Sequence, residues 1–431
     1  MSQLDKRALS IMENTIQLEN GHYVMGLPWK DHLPCFPNNR ALAENRLNGL
    51  NRKLIKDRAL YDEYVKFIDN LEENSYAEKV PYDEVALDDW QGRVWYLPHH
   101  PVWHPQKKKI RVVFDCSATY NGISLNSKLL QGPDMTNSLV GVLFAFQTML
   151  RSCVALAADI ECMFYRVRVT PYQRDALRFL WWPSADLSRP PEVWRMSVHV
   201  FGAISSPSCC WFALRQTARD GADLYDSDVT NSLNVNFYMY DFLKSVYSVQ
   251  DAKRFVGQMT SLLSMGGLRL SKWASNSIEV LREIPNDQRA ETLKDLNYEV
   301  LPVERALGIS WNMDSDAFCV RINVPDRHAT RRVILSTVSA VYDPLGFVAP
   351  IVLPVKLALR DLCRIDTGWD EDLPVDVLKF WENWRQSITL LSGTNINRCI
   401  KPRGFGDAVE VTFHHFSDAS CVGYSSVPMC V

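Results

Sequence analysis

The stretch Phe237-Tyr238-Met239-Tyr240-Asp241-Phe242-Leu243 holds one carboxylate between two apolar, strand-like runs. Aromatic and branched residues on both sides of a short tip predict a hairpin with arms at 235–239 and 242–246. Upstream, Leu156-Ala157-Ala158-Asp159-Ile160-Glu161-Cys162-Met163-Phe164 delivers a second aspartate at the end of another apolar run, where a strand-like pattern turns helix-like. An aspartate that ends a buried strand must be paired or bound to a cation to offset its desolvation. Two such aspartates on one antiparallel sheet are a donor set for Mg²⁺ and for nucleotidyl transfer. Taken alone, Asp159 would read as a helix N-cap and Glu161 as a solvated surface residue.

Composition sets the frame for that pair. The chain has 431 residues, 47% hydrophobic and 23% charged, which is the balance of a folded protein with roughly two to four domains. A net charge of -3 excludes a globally basic surface, so any contact with nucleic acid must come from a local groove. The cysteines are scattered, without Cys-x-x-Cys or Cys/His spacing, and are expected to be reduced core thiols rather than zinc ligands. No run approaches the ~20 apolar residues of a membrane span and the N-terminus lacks a signal-peptide core, which points to a cytoplasmic or nuclear protein.

Along the chain, 39–70 has approximate helical spacing of leucines amid Arg and Lys. Extended, proline-broken strands are expected from about 77 to 103, a buried helix at 138–150, and the strand feeding Asp159 at 153–158. Ser206 before Pro207 predicts an N-cap opening a helix through Arg219. A long apolar helical pattern runs over 333–362, interrupted at Pro344 and Pro350, and 402–406 reads as a linker.

Further segments complete a series: Phe201-Gly202-Ala203-Ile204-Ser205-Ser206-Pro207, Gly267-Leu268-Arg269-Leu270-Ser271-Lys272-Trp273 and Leu307-Gly308-Ile309-Ser310-Trp311. With the Asp159 run and Tyr238-Met239-Tyr240-Asp241, these resemble the successive motifs of reverse transcriptases, in order. The wider sequence resembles the pol polyprotein of BEL/Pao-type LTR retrotransposons. Leu129-Leu130-Gln131-Gly132-Pro133-Asp134, Leu187-Ser188-Arg189-Pro190-Pro191 and Ser339-Ala340-Val341-Tyr342-Asp343-Pro344-Leu345-Gly346-Phe347 are similar to segments peculiar to that group.

The resemblance implies an α+β right-hand polymerase of fingers, palm and thumb. It implies a helical N-terminal connector over 1–80, fingers and palm over 81–312, and a thumb or connection over 313–405, within the Pao retrotransposon peptidase family region. A truncated RNase H-like start follows over 406–431, where Asp418 is similar to the first metal-ligating aspartate of RNase H. The implied partners are an RNA or DNA template-primer duplex and deoxynucleoside triphosphates, with two Mg²⁺ as cofactors and no membrane.

Residue by residue, the resemblance makes Asp159 and Asp241 metal ligands and Lys272 the acid that protonates the leaving pyrophosphate. It puts Arg111 on the incoming triphosphate, Phe164 under the sugar and Gly202 beside the nascent base pair. Leu307, Gly308 and Trp311 fall in the primer grip. Lys107, Lys108 and Lys109 would add phosphate attraction, a solvated loop being the plain alternative. One departure matters most: the hairpin of the family reads Tyr-x-Asp-Asp, and here Tyr240 stands where the first aspartate belongs. A phenol with a reference pKa of about 10 is neutral near pH 7 and supplies no charge to a metal. The expected outcome is a polymerase-like fragment with weakened metal binding. Two other readings stay open: a catalytically dead nucleic-acid-binding module, and an aspartic peptidase resting on Asp314 or Asp316, although no Asp-Thr/Ser-Gly loop is present.

Overall fold

Asp57 splits the charged N-terminal helical pattern into two helices, Arg40–Lys56 and Arg58–Glu73. Its carboxylate accepts from the Leu60 amide at 3.0 Å, so one residue ends the first helix and caps the second. The computed structural model describes residues 1–32, 34–87, 92–104, 109–147, 153–294, 296, 301–320, 324, 326–391, 393–400 and 412–430. The expected linker at 402–406 and the lysines Lys107 and Lys108 lie outside the described residues. The chain forms two compact units built from interleaved segments.

The first unit comprises Met1–Thr136, Ile160–Asn234 and Val256–Leu270. Its sheets are small: Ala77–Lys79, Glu192–Met196 and Arg178–Trp181 form one, and His99–His104 pairs with Lys109–Phe114 in another. Apolar rings fill its core, with Tyr64 stacked on Trp181 at 5.3 Å and Phe114 edge-on to Phe179 at 5.2 Å. His99 lies among these rings, joined to the Tyr64 hydroxyl at 2.5 Å and donating from Nε2 to the Leu180 carbonyl at 2.9 Å. Complete burial pushes its pKa down to about 4, so the ring stays neutral. The helix Ser206–Asp220 begins one residue earlier than expected. Ser205 is its N-cap, and the Ser206 hydroxyl instead donates to the Val200 carbonyl at 2.8 Å.

The second unit comprises Asn137–Asp159, Val235–Phe255 and Ser271–Val431. A four-stranded sheet has Phe237–Tyr238 at one edge, then Asp241–Val246, Val154–Ile160 and Leu270–Ser275. Side chains alternate across it as the strand period demands. Phe242 stacks on Phe255 at 5.8 Å and meets Trp273 edge-on at 6.1 Å, while Ser245 on the opposite face donates to the Phe146 carbonyl at 2.9 Å. The first hairpin arm is shorter than expected, because the helix Ser227–Val235 runs up to it. Asn236 still pairs with the second arm, its carbonyl accepting from the Leu243 amide at 3.0 Å.

A second four-stranded sheet orders Val303–Ala306, Ile309–Asn312, Ala317–Cys319 and Asn395–Asn397. The turn between its first two strands uses Leu307 at φ 48° and Gly308 at φ 86°, the doubly left-handed pair of a two-residue hairpin. Helices Arg331–Ala340, Ala349–Arg364 and Val375–Thr389 share an apolar core containing Val352, Val355, Trp381 and Ile388. Pro350 does not interrupt that pattern. It lies in the first turn of Ala349–Arg364, where a missing N–H costs nothing.

The strands Phe413–Ala419 and Tyr424–Cys430 form an antiparallel hairpin in which Asp418 faces Ser425. Among the described residues no helix is long and apolar enough to cross a membrane. The thiols are not all core residues as expected: Cys116, Cys153, Cys209 and Cys210 are buried, but Cys35, Cys162, Cys363 and Cys421 are exposed.

Candidate active site

The two aspartates singled out by sequence stand directly opposite each other, Asp241 paired with Asp159 across neighbouring antiparallel strands. Register explains why they converge. Residues facing each other in such a pair present their side chains on one face, with Cβ atoms roughly 4.5–5.5 Å apart. The turn that delivers Asp241 is tight, since Tyr238 pairs with Asp241 and only Met239 and Tyr240 lie between. Met239 adopts φ 54°, a left-handed conformation that non-glycine residues rarely take. Tyr240 projects from this tip and is 45% exposed.

Like charges in this register repel, and two features relieve the repulsion. Lys272 reaches across from Leu270–Ser275 and donates from Nζ to Asp159 Oδ2. Burial, the hydrogen bond with Asp159 and the charge of Asp159 push the Asp241 pKa far above the carboxylate range, to about 8. Desolvation works against the Lys272 ammonium, but its hydrogen bond to Asp159, with Asp241 and Tyr240 nearby, raises its pKa. Lys272 has φ 53°, a second left-handed non-glycine residue at this site. The side chains gathered here are therefore two carboxylates, one already engaged by an ammonium, and the phenol of Tyr240. Among the described residues no group of three or more His, Cys, Asp or Glu could hold a metal ion.

The remaining predicted site residues divide between the units. In the first, Arg111 is exposed on Lys109–Phe114 opposite Val102. Phe164 is half-buried against Phe201, with ring centroids 5.7 Å apart. Gly202 has φ 113°, and a Cβ there would come within 2.7 Å of the Phe114 carbonyl oxygen, so close backbone approach explains the glycine. Glu161 is not simply solvated, because Arg166 binds its carboxylate at 2.8 Å.

In the second unit, a Cβ on Gly308 would strike the Tyr342 ring at 2.7 Å. Tyr342 belongs to the 339–347 segment and lies close enough to Tyr238 and Asp241 for their charges to raise its pKa, after burial as the first cause. Trp311 is fully buried, edge-on to Phe146 at 5.3 Å, with Nε1 donating to Asp316 at 3.0 Å. Asp418 is exposed, accepting from its neighbour's amide.

Sequence reasoning missed Arg398. Its guanidinium is fully buried and grips Asp316 with two bonds of 2.7 Å, while also donating to the Phe146 carbonyl, the Ser245 hydroxyl and the Cys153 sulfur. It thereby ties the second sheet to the strand that carries Asp241. Asp316, one of the two peptidase candidates, is committed to this pair. Asp314 sits in the preceding turn, its amide donating to Asn312.

With that geometry in view, comparison with known proteins is informative. Residues 330–429 match a family model described as the Pao retrotransposon-like RNaseH-like domain. That match starts within the segment expected to be thumb and runs through the hairpin bearing Asp418. No curated protein matches the sequence. Among solved structures, the chain is similar to the foamy viral protease-reverse transcriptase in complex with double-stranded DNA, with a TM-score of 0.50 and 14% identity over 85% of this chain. It spans 55% of that viral chain. The chain thus has a mixed helix-and-strand fold similar to that of the foamy viral protein, and its residues 330–429 are similar to a retrotransposon RNaseH-like domain.

Proposed function

We propose that this chain is the reverse transcriptase region of a BEL/Pao-type retrotransposon polyprotein, in which substitution at the hairpin has removed most of the polymerase activity. In this reading the sheet bearing Asp159 and Asp241 is the palm, the helices after Arg331 belong to the thumb, and Arg111, Phe164 and Gly202 serve the incoming deoxynucleotide. Leu307 and Gly308 would form the primer-grip turn, with Trp311 as its buried support. The observation that carries the proposal is the pairing of Asp241 with Asp159 in register. Two aspartates that would read as a cap and a loop residue in isolation meet on one face, beside the lysine the same reading requires.

Bound Mg²⁺ would supply positive charge to neutralise the phosphoryl group in such chemistry. Here Asp159 and Asp241 are the residues that would bind, and Tyr240 stands where a third carboxylate is needed. Losing one preorganised electrostatic group at a reacting centre costs about 2.7–4 kcal/mol, or about 10²–10³ in rate. A template-primer duplex and deoxynucleoside triphosphates are the proposed partners, and duplex binding can outlast the loss of chemistry because phosphate contacts need no metal.

Primer extension by the purified chain with Mg²⁺ or Mn²⁺ tests this. The Tyr240→Asp variant is expected to exceed the unaltered chain by at least about 10²-fold. Equal extension by both would overturn the proposed loss, and a variant that binds duplex yet never extends would argue for a module that only binds.

A further inference from the structure

We infer that Lys272 is the resident counter-cation of the Asp159–Asp241 pair, supplying the positive charge that a divalent ion would otherwise supply, so that metal enters this site only in competition with the lysine. The inference rests on the reading of Asp159 and Asp241 as ligands of an ancestral metal centre. It departs from that reading in giving Lys272 a role before any nucleotide arrives.

Three observations converge on it. First, the ammonium is already bonded to Asp159 Oδ2, an atom a metal would need. Second, Lys272 takes a left-handed backbone conformation inside a strand, at φ 53°, although it is not glycine. Such conformations are unfavourable and persist only where the surroundings demand them. Here the demand is visible, since the ammonium meets the Asp159 carboxylate. Third, two carboxylates facing each other in a sheet are unfavourable without a cation, and Lys272 supplies one. Loss of the third carboxylate strengthens the lysine's position. A divalent ion gains less from two carboxylates than from three, whereas one ammonium suffices to offset one of them.

The side chain of Lys272 is 62% exposed, so the pair is solvent-screened and displaceable. An ion pair of this kind contributes up to about 1 kcal/mol, which corresponds to up to about fivefold in affinity for a competing ion. The test is a Mn²⁺ titration of the full chain, with free Mn²⁺ read by electron paramagnetic resonance. The Lys272→Met variant is expected to bind Mn²⁺ about three- to fivefold more tightly than the unaltered chain, and adding Asp159→Asn should erase the gain. Equal or weaker binding by Lys272→Met, including no binding by either protein, would overturn the inference.

A second measurement needs no variant. Acylation of Lys272 in the unaltered chain, followed by mass spectrometry, should accelerate as Mn²⁺ is added, because the displaced ammonium becomes accessible. Labelling that stays constant or slows up to saturating Mn²⁺ would equally overturn it. The outcome separates from that of primer extension: vigorous extension by the unaltered chain would end the proposed loss of activity and leave the Mn²⁺ comparison intact, and unchanged Mn²⁺ binding would do the reverse.

Discussion

Two clusters in the second unit combine aspartate with a basic residue, and they handle charge in opposite ways. Around Arg398 every partner is fixed: Asp316 takes two bonds, a backbone carbonyl, a hydroxyl and a thiol take others, and no part of the guanidinium reaches solvent. Around Asp159 and Asp241 two like groups face each other, a largely exposed lysine reaches one of them, and two non-glycine residues adopt left-handed backbone. The first arrangement is complete and therefore rigid. The second leaves binding capacity unspent and stores local strain, which is where function is to be sought.

The largest expected effect comes from breaking the complete cluster. Removing one partner of a buried pair leaves an uncompensated charge, at a cost of about 3–5 kcal/mol. Arg398→Met is therefore expected to lower the unfolding free energy of the full chain by that amount in urea titration, and Arg398→Met with Asp316→Leu should recover much of it. A change below about 1 kcal/mol in Arg398→Met would mean that the cluster does not behave as a buried pair.

His99 in the first unit offers a third solution, a buried polar group kept neutral. With a folded pKa of about 4 against about 6.5 when unfolded, the unfolded chain binds more protons between these values. The stability that neutrality confers is fully present above pH 6.5 and is lost as pH falls through 4, amounting to about 3 kcal/mol. The His99→Gln variant should show a flatter decline between pH 7 and 4 in denaturant unfolding. Curves that stay parallel to those of the unaltered chain would show that His99 is not the group titrating.

The carboxylate pair was legible in the sequence because each aspartate ends a local apolar run whose period reveals a strand, and the intervening motifs fix the order. The helices of the N-terminal region were legible from the spacing of their leucines, whereas the Leu307–Gly308 hairpin was suggested only by resemblance. Arg398 was not, because its partner Asp316 is 82 residues away and neither residue stands in a repeating pattern. The Lys272 ion pair was equally hidden, since a lysine two residues beyond Leu270 carries no sign of which strand its side chain will reach. Boundaries failed where a tertiary contact overrode a local signal: Ser206 reads as a cap by residue type, but its hydroxyl is used by the Val200 carbonyl.

The finest discrimination comes from making one edit in both clusters. Asp241→Asn and Asp316→Asn each exchange a carboxylate for an amide of the same shape, so packing is preserved and only charge changes. In the complete cluster this strips the buried Arg398 of its counter-charge and must destabilise. In the opposed pair it removes, once both groups are ionised, a like-charge repulsion worth about 0.2–1 kcal/mol, so Asp241→Asn should stabilise the metal-free chain by about that amount at pH 9. The gain should be greater at pH 9 than at pH 6, because Asp241 is protonated below about 8 and the repulsion exists only once it ionises. Urea unfolding of both variants at the two pH values measures this directly. If Asp241→Asn destabilised as Asp316→Asn does, the two clusters would be alike, and the pair would be a structural hydrogen bond rather than a site holding unspent charge.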